Sequence, residues 1–231
     1  MAVDLQSSFL AGMFPLRLLF LWVVCRPATA TLLGLCTSES VILSAPQTLA
    51  VGGTVVSHAH PTLLRLHPRS STLLAIEGDP ADCDELVCAI REVNGLHRVQ
   101  FNSDMPIYSL VTFSARKIHD ALRKRPLNCR LMIGGMESSS PVLYWIDDTG
   151  AVQKVRYGSH GREMALVLSV MDQLSREQAS TSITHDAGMH IVKNCWLGVK
   201  RRSSVYLQSL AIATSSASKT ILEELNISEP Q

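Results

Sequence analysis

Val142-Leu143-Tyr144-Trp145-Ile146 runs through Asp147-Asp148-Thr149-Gly150 into Ala151-Val152-Gln153-Lys154-Val155. An apolar run, a polar turn ending in glycine and a second extended run read as two antiparallel strands. Cys129 to Ile133 precedes them as a third strand. Upstream lie two helical patterns. Asp79 caps one that opens at Pro80 and carries Leu86, Ile90 and Val93, with Val87 beside them, as an apolar stripe. The other spans Ile107 to Arg123, with Val111, Ala115, Ile118 and Leu122 on one face and Ser114, Arg116, Lys117 and Asp120 on the other. Before these come short extended segments: Thr31 to Leu35 and Val41 to Ala45 as a hairpin about the polar Thr37–Ser40 turn, then Thr54 to Ser57 after the Gly52-Gly53 turn, Leu63 to Leu66, and Ser71 to Ile76.

Downstream, Gly158-Ser159-His160-Gly161 reads as the entry to a third helix with Met164, Val167, Leu168 and Met171 inward. A fourth spans about Ser182 to Val199, aligning Ile191, Cys195 and Val199, and Val205 to Ala213 is a closing strand. Strands and helices alternate in blocks and do not interleave singly. That order predicts an α+β fold, two stacked antiparallel sheets with a helix pair outside each, over a doubly wound parallel sheet.

The 231 residues, 46% hydrophobic and 18% charged, exclude a disordered polymer, a coiled coil and a collagen-like repeat. With 21 basic against 20 acidic residues there is no phosphate footprint, so no nucleic-acid partner is expected. The six cysteines, Cys25, Cys36, Cys83, Cys88, Cys129 and Cys195, form no Cys-x-x-Cys pair and read as reduced, buried thiols. The first thirty residues resemble a secretory leader: Arg17 precedes the apolar Leu18–Cys25 run, and Ala28-Thr29-Ala30 offers small residues. The run is too short to span a membrane, which takes roughly 20 apolar residues, and no membrane partner is expected. Acidic Asp4 and the disulfide-poor body count against export. Residues 1–29 are therefore taken as a pro-segment, an overlong start or a signal-like leader, and the body from Ala30 onward is electrically neutral.

Several small constellations have plain readings. His58, His60 and His67, and His185 with His190, lack a cysteine or acid at metal-ligand spacing. Ser159 beside His160 lacks a Gly-x-Ser-x-Gly elbow, and Gly134-Gly135 reads as a strand-end turn with no following Lys-Ser or Lys-Thr. Cys83 and Cys88 read as small packed hydrophobes, Lys200-Arg201-Arg202 as a solvated turn or rim, and Trp145 and Trp196 as core or interface anchors. The Asn226-Ile227-Ser228 sequon lies in the tail.

Three motifs in combination carry a resemblance: Gly78-Asp79-Pro80-Ala81-Asp82-Cys83 opening a helix, Leu131-Met132-Ile133-Gly134-Gly135 followed by Pro141 to Asp147, and Gly158-Ser159-His160-Gly161 running to Val170-Met171-Asp172. Together they resemble the beta-type subunits of the proteasome core particle, members of the N-terminal-nucleophile hydrolase fold. The likeness covers residues 30–213 and leaves 214–231 as a C-terminal tail. It implies a four-layer αββα sandwich, and partners that are the other alpha and beta subunits of stacked seven-membered rings in cytoplasm and nucleus. Leu122-Arg123-Lys124-Arg125-Pro126 and His160-Gly161 before Leu166-Val167-Leu168-Ser169 are most similar to the type-2 branch, at the fourth beta position of the ring.

Active members of that family attack with an N-terminal threonine, whose free amine takes the proton, beside a lysine and orienting carboxylates. Aligning Val41-Ile42-Leu43 with the family's second strand puts the nucleophile position on Ala30, one aspartate position on Pro46, the lysine position on Thr62, and a second aspartate position on Arg201. Only the oxyanion-hole glycine is kept, as Gly78. Thr31 and Thr29 sit one residue out of register, and a one-residue shift sends a strand side chain to the other sheet face. The resemblance thus implies no catalytic residue, no cofactor and no metal ligand in this chain. The alternative is a threonine endopeptidase subunit with Thr31 as its processed nucleophile.

Overall fold

The computed structural model describes residues 30–51, 54–57, 61–177, 183–202, 209–216 and 220–226. The chain from Leu32 turns back on itself at once. Strands β1 (Leu32–Cys36) and β2 (Ser40–Pro46) pair antiparallel, with Thr37 closing the turn through its hydroxyl to the Ser40 carbonyl at 2.9 Å. A small hairpin follows, β3 (Leu49–Val51) with β4 (Thr54–Ser57), then β5 (Leu63–Arg65) and β6 (Leu73–Gly78). Helices α1 (Pro80–Phe101) and α2 (Ile107–Ala121) come next, then β7 (Cys129–Glu137), β8 (Ser140–Ile146), β9 (Val152–Lys154) and β10 (Tyr157–His160). Helices α3 (Met164–Glu177) and α4 (His185–Arg202) lead to β11 (Ser209–Ser216) and β12 (Thr220–Asn226).

Two five-stranded antiparallel sheets result, ordered β10-β1-β2-β11-β12 and β5-β6-β7-β8-β9. Strand alternation distributes their side chains into three apolar layers. Leu32, Val41, Leu43, Leu73, Ala75, Met132 and Leu143 meet between the sheets. On the outer face of the first sheet, Leu33, Leu35 and Ile42 pack on Val167, Met171, Ile191, Cys195 and Trp196 of α3 and α4. On the outer face of the second, Leu74, Ile76, Leu131 and Ile133 pack on Leu86, Ile90, Leu110 and Ile118 of α1 and α2. This is the expected αββα sandwich. Asp79 caps α1 by accepting from the Ala81 and Asp82 amides at 3.0 and 3.4 Å, and Asp82 then accepts from the Asn128 amide at 2.9 Å and Arg125 at 2.8 Å. The start of α1 is thereby tied to the entry of β7.

Several local expectations are corrected. Gly158-Ser159-His160 is strand, not helix entry: β10 pairs with β1, placing His160 opposite Leu32, and Ser159 donates its hydroxyl to the Leu32 carbonyl at 2.7 Å. Gly134-Gly135 lies inside β7, where a Cβ would meet Val41 Cγ1 at 2.7 Å or the Ser71 carbonyl at 2.6 Å, so close packing and not a turn requires those glycines. Ser114 is buried on the inner face of α2, its hydroxyl satisfied by the Leu110 carbonyl at 2.8 Å. Met164 is exposed, and half-buried Leu166, Val170 and Leu174 complete the α3 stripe. Cys88 is exposed while Cys83 is buried. Strand β12 lies beyond Ala213, in the stretch expected to be tail. His58, His60 and the Gly52-Gly53 turn fall outside the described residues.

The β7–β8 turn holds Ser138 and Ser139 at φ of 48° and 68°, both left-handed. Glycine takes this conformation without the Cβ penalty, so Ser139→Gly should raise unfolding stability by about 0.5–1 kcal/mol. Gly95, inside α1 with open space around its Cβ position, predicts a similar gain of about 0.5–1 kcal/mol for Gly95→Ala. Urea titration of both variants measures this, and a loss of stability in either would contradict the reading.

Candidate functional site

A cleft of about 90 Å³ opens where α1 passes the ends of β5 and β6. Its lining joins Ala30, Thr62 and Gly78, residues far apart in sequence, with Glu77, Asp84 and Arg91. Three of the five positions singled out by register therefore share one wall. A fourth, Pro46, touches it indirectly, because Thr62 donates its hydroxyl to the Pro46 carbonyl at 3.1 Å. Arg201 does not join them; it is exposed in the last turn of α4.

Gly78 is required by its backbone. At φ of +138° an added Cβ would collide with the Asn128 carbonyl, so the end of β6 can lie this close to β7 only without a side chain. Ala30 is 8% exposed, and Gly161, at φ of +101°, leaves room for the Ala30 carbonyl in the same way. Alternation along β1 decides what each threonine-like position can reach. Leu32 faces the inter-sheet layer and Leu33 the α3–α4 layer. Ala30 shares the register of Leu32. Thr31 shares that of Leu33, is 3% exposed, and accepts from the Glu163 amide at 3.3 Å just ahead of α3. Thr29 lies outside the described residues.

The charged groups beside the cleft are a network that the motif reading missed. Glu77 is 3% exposed; its Oε1 accepts from Arg130 at 3.4 Å, while its Oε2 has no partner. Arg130 also donates to Asp148 at 2.9 Å. Burial lifts the Glu77 carboxyl to about 7, against the opposing pull of Arg130, and Asp148 pushes the same way as burial. His160, 1% exposed, stacks on Trp145 with ring centres 4.5 Å apart, and its Nε2 is unpartnered. Burial, then Arg130, drives its imidazole down to about 4, against the Leu131 and Ile146 carbonyls and Asp147. The signal available in sequence was alternation: Glu77 and Arg130 stand at inward positions of otherwise apolar strands.

The remaining residues have structural roles. Trp196 is wholly buried and donates Nε1–H to the Ser44 hydroxyl at 2.8 Å, while Trp145 donates to the Ser159 carbonyl at 3.1 Å. His185 Nδ1 lies 3.0 Å from the Ser40 hydroxyl, and His190 Nδ1 3.2 Å from the Asn194 amide. Among the described residues no cluster of three metal-ligating side chains occurs, and no helix is long and apolar enough to cross a membrane. Burial pushes the Cys83 thiol above its ordinary range, with Cys129, Glu77, Asp79 and Asp82 adding to the shift; burial first, then Asp82, Asp148 and Glu85, push Cys129 up to about 12.

The fold is a four-layer αββα sandwich with a cleft where α1 passes β5 and β6, and comparison with known proteins makes the class specific. A family model described as proteasome subunit matches residues 27–214. A probable proteasome subunit beta type-4 of Neurospora crassa is 24% identical over 184 residues, 78% of this chain and 88% of the relative. Proteasome subunit beta type-4 of Saccharomyces cerevisiae is 24% identical over 174 residues (74% and 85%), and beta type-2 of Oryza sativa subsp. japonica 27% over 146 (62% and 66%). The chain belongs to the proteasome beta subunit family, whose members form part of a threonine protease complex. These relatives carry both type-4 and type-2 names and do not distinguish a ring position.

Two measurements follow from the site. Maleimide labelling of the native chain, read by peptide mass spectrometry, should modify exposed Cys88 and spare Cys83, Cys129 and Cys195 until denaturant is added; native labelling of Cys83 would contradict its burial. Glu77 holds its proton more tightly folded than unfolded, so its stabilising contribution is full below its ordinary 4.5 and is lost as pH rises through about 7. His160 works oppositely: its contribution is full above 6.5 and is lost as pH falls through about 4. Urea midpoints across this range should therefore rise more steeply with pH in Glu77→Gln than in the parent, because the opposing Glu77 contribution is then gone.

Proposed function

We propose that this chain is a non-catalytic, structural beta subunit of the proteasome core particle (20S). It would close part of the beta-ring wall in a seven-membered ring and hold catalytic neighbours in position, serving ubiquitin- and ATP-dependent protein degradation in cytoplasm and nucleus. The observation that carries the reading is the methyl group of Ala30 on the cleft wall beside Gly78, at the register position of the nucleophile. A methyl group has no lone pair with which to attack a carbonyl. Its surroundings deepen the deficit, for Thr62 brings a neutral hydroxyl where the lysine would stand, and Pro46 and Arg201 bring no carboxylate. The charged residues that line the wall are Glu77, its carboxyl raised to about 7, Asp84 and Arg91; the acids and the arginine offset one another, and no lysine gives the electropositive setting an N-terminal amine base needs. The type-2 position is the branch favoured by the Leu122–Pro126 and His160-Gly161 stretches.

The alternative, cleavage before Thr31 to free a working nucleophile, is disfavoured by that hydroxyl's position. It is buried on the α3–α4 side of β1 and already accepts a backbone hydrogen bond. Affinity purification of the tagged chain should recover the other alpha and beta subunits in fixed proportion, and their absence would refute membership of the particle. Within such particles Ala30→Thr should leave fluorogenic-peptide turnover at the parental rate. Loss of a single preorganised group costs about 3–4 kcal/mol of barrier, and here several are missing at once. Added turnover in that variant would contradict the assignment.

A further inference from the structure

The Arg130 guanidinium is shared by two carboxylates that differ in their access to water. Its Nη2 donates to Asp148 at 2.9 Å, whose side chain is 39% exposed; its Nη1 reaches Glu77 only at 3.4 Å, and that side chain is 1% exposed. One cation therefore faces two acids, the buried one with an oxygen that accepts from nothing. The charged groups that act on Glu77 are Arg130 and Asp148. The rest of the surroundings are the Cys83 thiol of α1 with Asp82 and the capping Asp79 beside it, Asp84 and Arg91 of α1 on the cleft wall, and, on the Arg130 side, His160 of β10 with Asp147 of the β8–β9 turn.

We propose that Glu77 and Asp148 compete for Arg130, and that the protonation state of Glu77 decides whether the β8–β9 turn is clamped to its sheet. With Glu77 a neutral acid, Arg130 is committed to Asp148 and holds the turn. When Glu77 loses its proton the new buried anion cannot be solvated, whereas Asp148 can turn to water, so the guanidinium is drawn inward and the turn is released. The raised carboxyl range of Glu77 puts this exchange near neutral pH. The turn itself is poised for it. Asp147 organises it by accepting from the Thr149 and Ala151 amides at 2.9 and 2.8 Å, and Gly150, at φ of +82°, seats it against the Ala115 carbonyl and His119 of α2. Among the described residues, Arg130 provides the only ion pair between the turn and the sheet. The device is independent of whether the chain is catalytic.

Hydrogen exchange on the full chain tests it, reading the peptide across Asp147–Val152 at about pH 6 and about pH 8, corrected for intrinsic exchange. Protection of this peptide in the parent should fall on the order of tenfold at the higher pH. In Glu77→Gln, a neutral isostere, it should change less than about twofold and stay high. Asp148→Asn should be poorly protected at both pH values. His119 and His160 are untouched in both variants, so a response arising from either would survive in Glu77→Gln and overturn the proposal, as would no response in the parent. Should Glu77→Gln fail to fold, Asp148→Asn decides alone: low, pH-independent protection supports the exchange, and a response like the parent's refutes it.

Discussion

The structure turns on the strict alternation of β1 between two layers. Strand side chains project to opposite faces residue by residue, and β1 is buried on both, with Leu32 between the sheets and Leu33 and Leu35 under α3 and α4. Neither face tolerates a slip, because a one-residue shift would move each leucine into the other layer. Pairing on both sides reinforces this, β2 along one edge and β10 along the other. The proposed function rests on the same alternation. Ala30 continues the inter-sheet register to the cleft, while Thr31, a residue with the needed hydroxyl, points to the far side.

Two glycines shape the cleft through backbone packing alone. Gly78 and Gly161 are held by backbone crowding, since a Cβ at either would strike a neighbouring carbonyl, and that constraint applies whatever the chemistry. Thr62 is likewise absorbed into structure through the Pro46 carbonyl. Charge at this end of the sandwich comes from Glu77, Arg130 and Asp148, which tie the sheet to the β8–β9 turn. A polar layer so placed must settle its own charge balance, and a carboxyl shifted to about 7 is the physical sign of that.

Much of this was legible in the sequence, for identifiable reasons. The blockwise order of strands and helices fixes the layering, and strong periodicity located α1, α2 and α4. The register argument from Val41-Ile42-Leu43 gathered Ala30, Pro46, Thr62 and Gly78 around one place. Arg201 does not join them, because it stands on the exposed last turn of α4. Tyr157–His160 was misread because glycine and serine signal a turn locally, whereas here the requirement for small residues comes from a strand packed beside Trp145 and β1. Ser114 was misread because its hydroxyl is satisfied within its own helix, which lets a polar side chain occupy an apolar face. Glu77 and Arg130 escaped notice because each looks like an ordinary surface charge until the facing strand is known.

The central claim is that no hydroxyl of this chain occupies the nucleophile register. The most direct measurement is the intact mass of this subunit in assembled particles saturated with a threonine-directed electrophile. This chain should keep an unmodified mass while catalytic siblings in the same sample gain the adduct. An adduct on a chain beginning at Thr31 would contradict it.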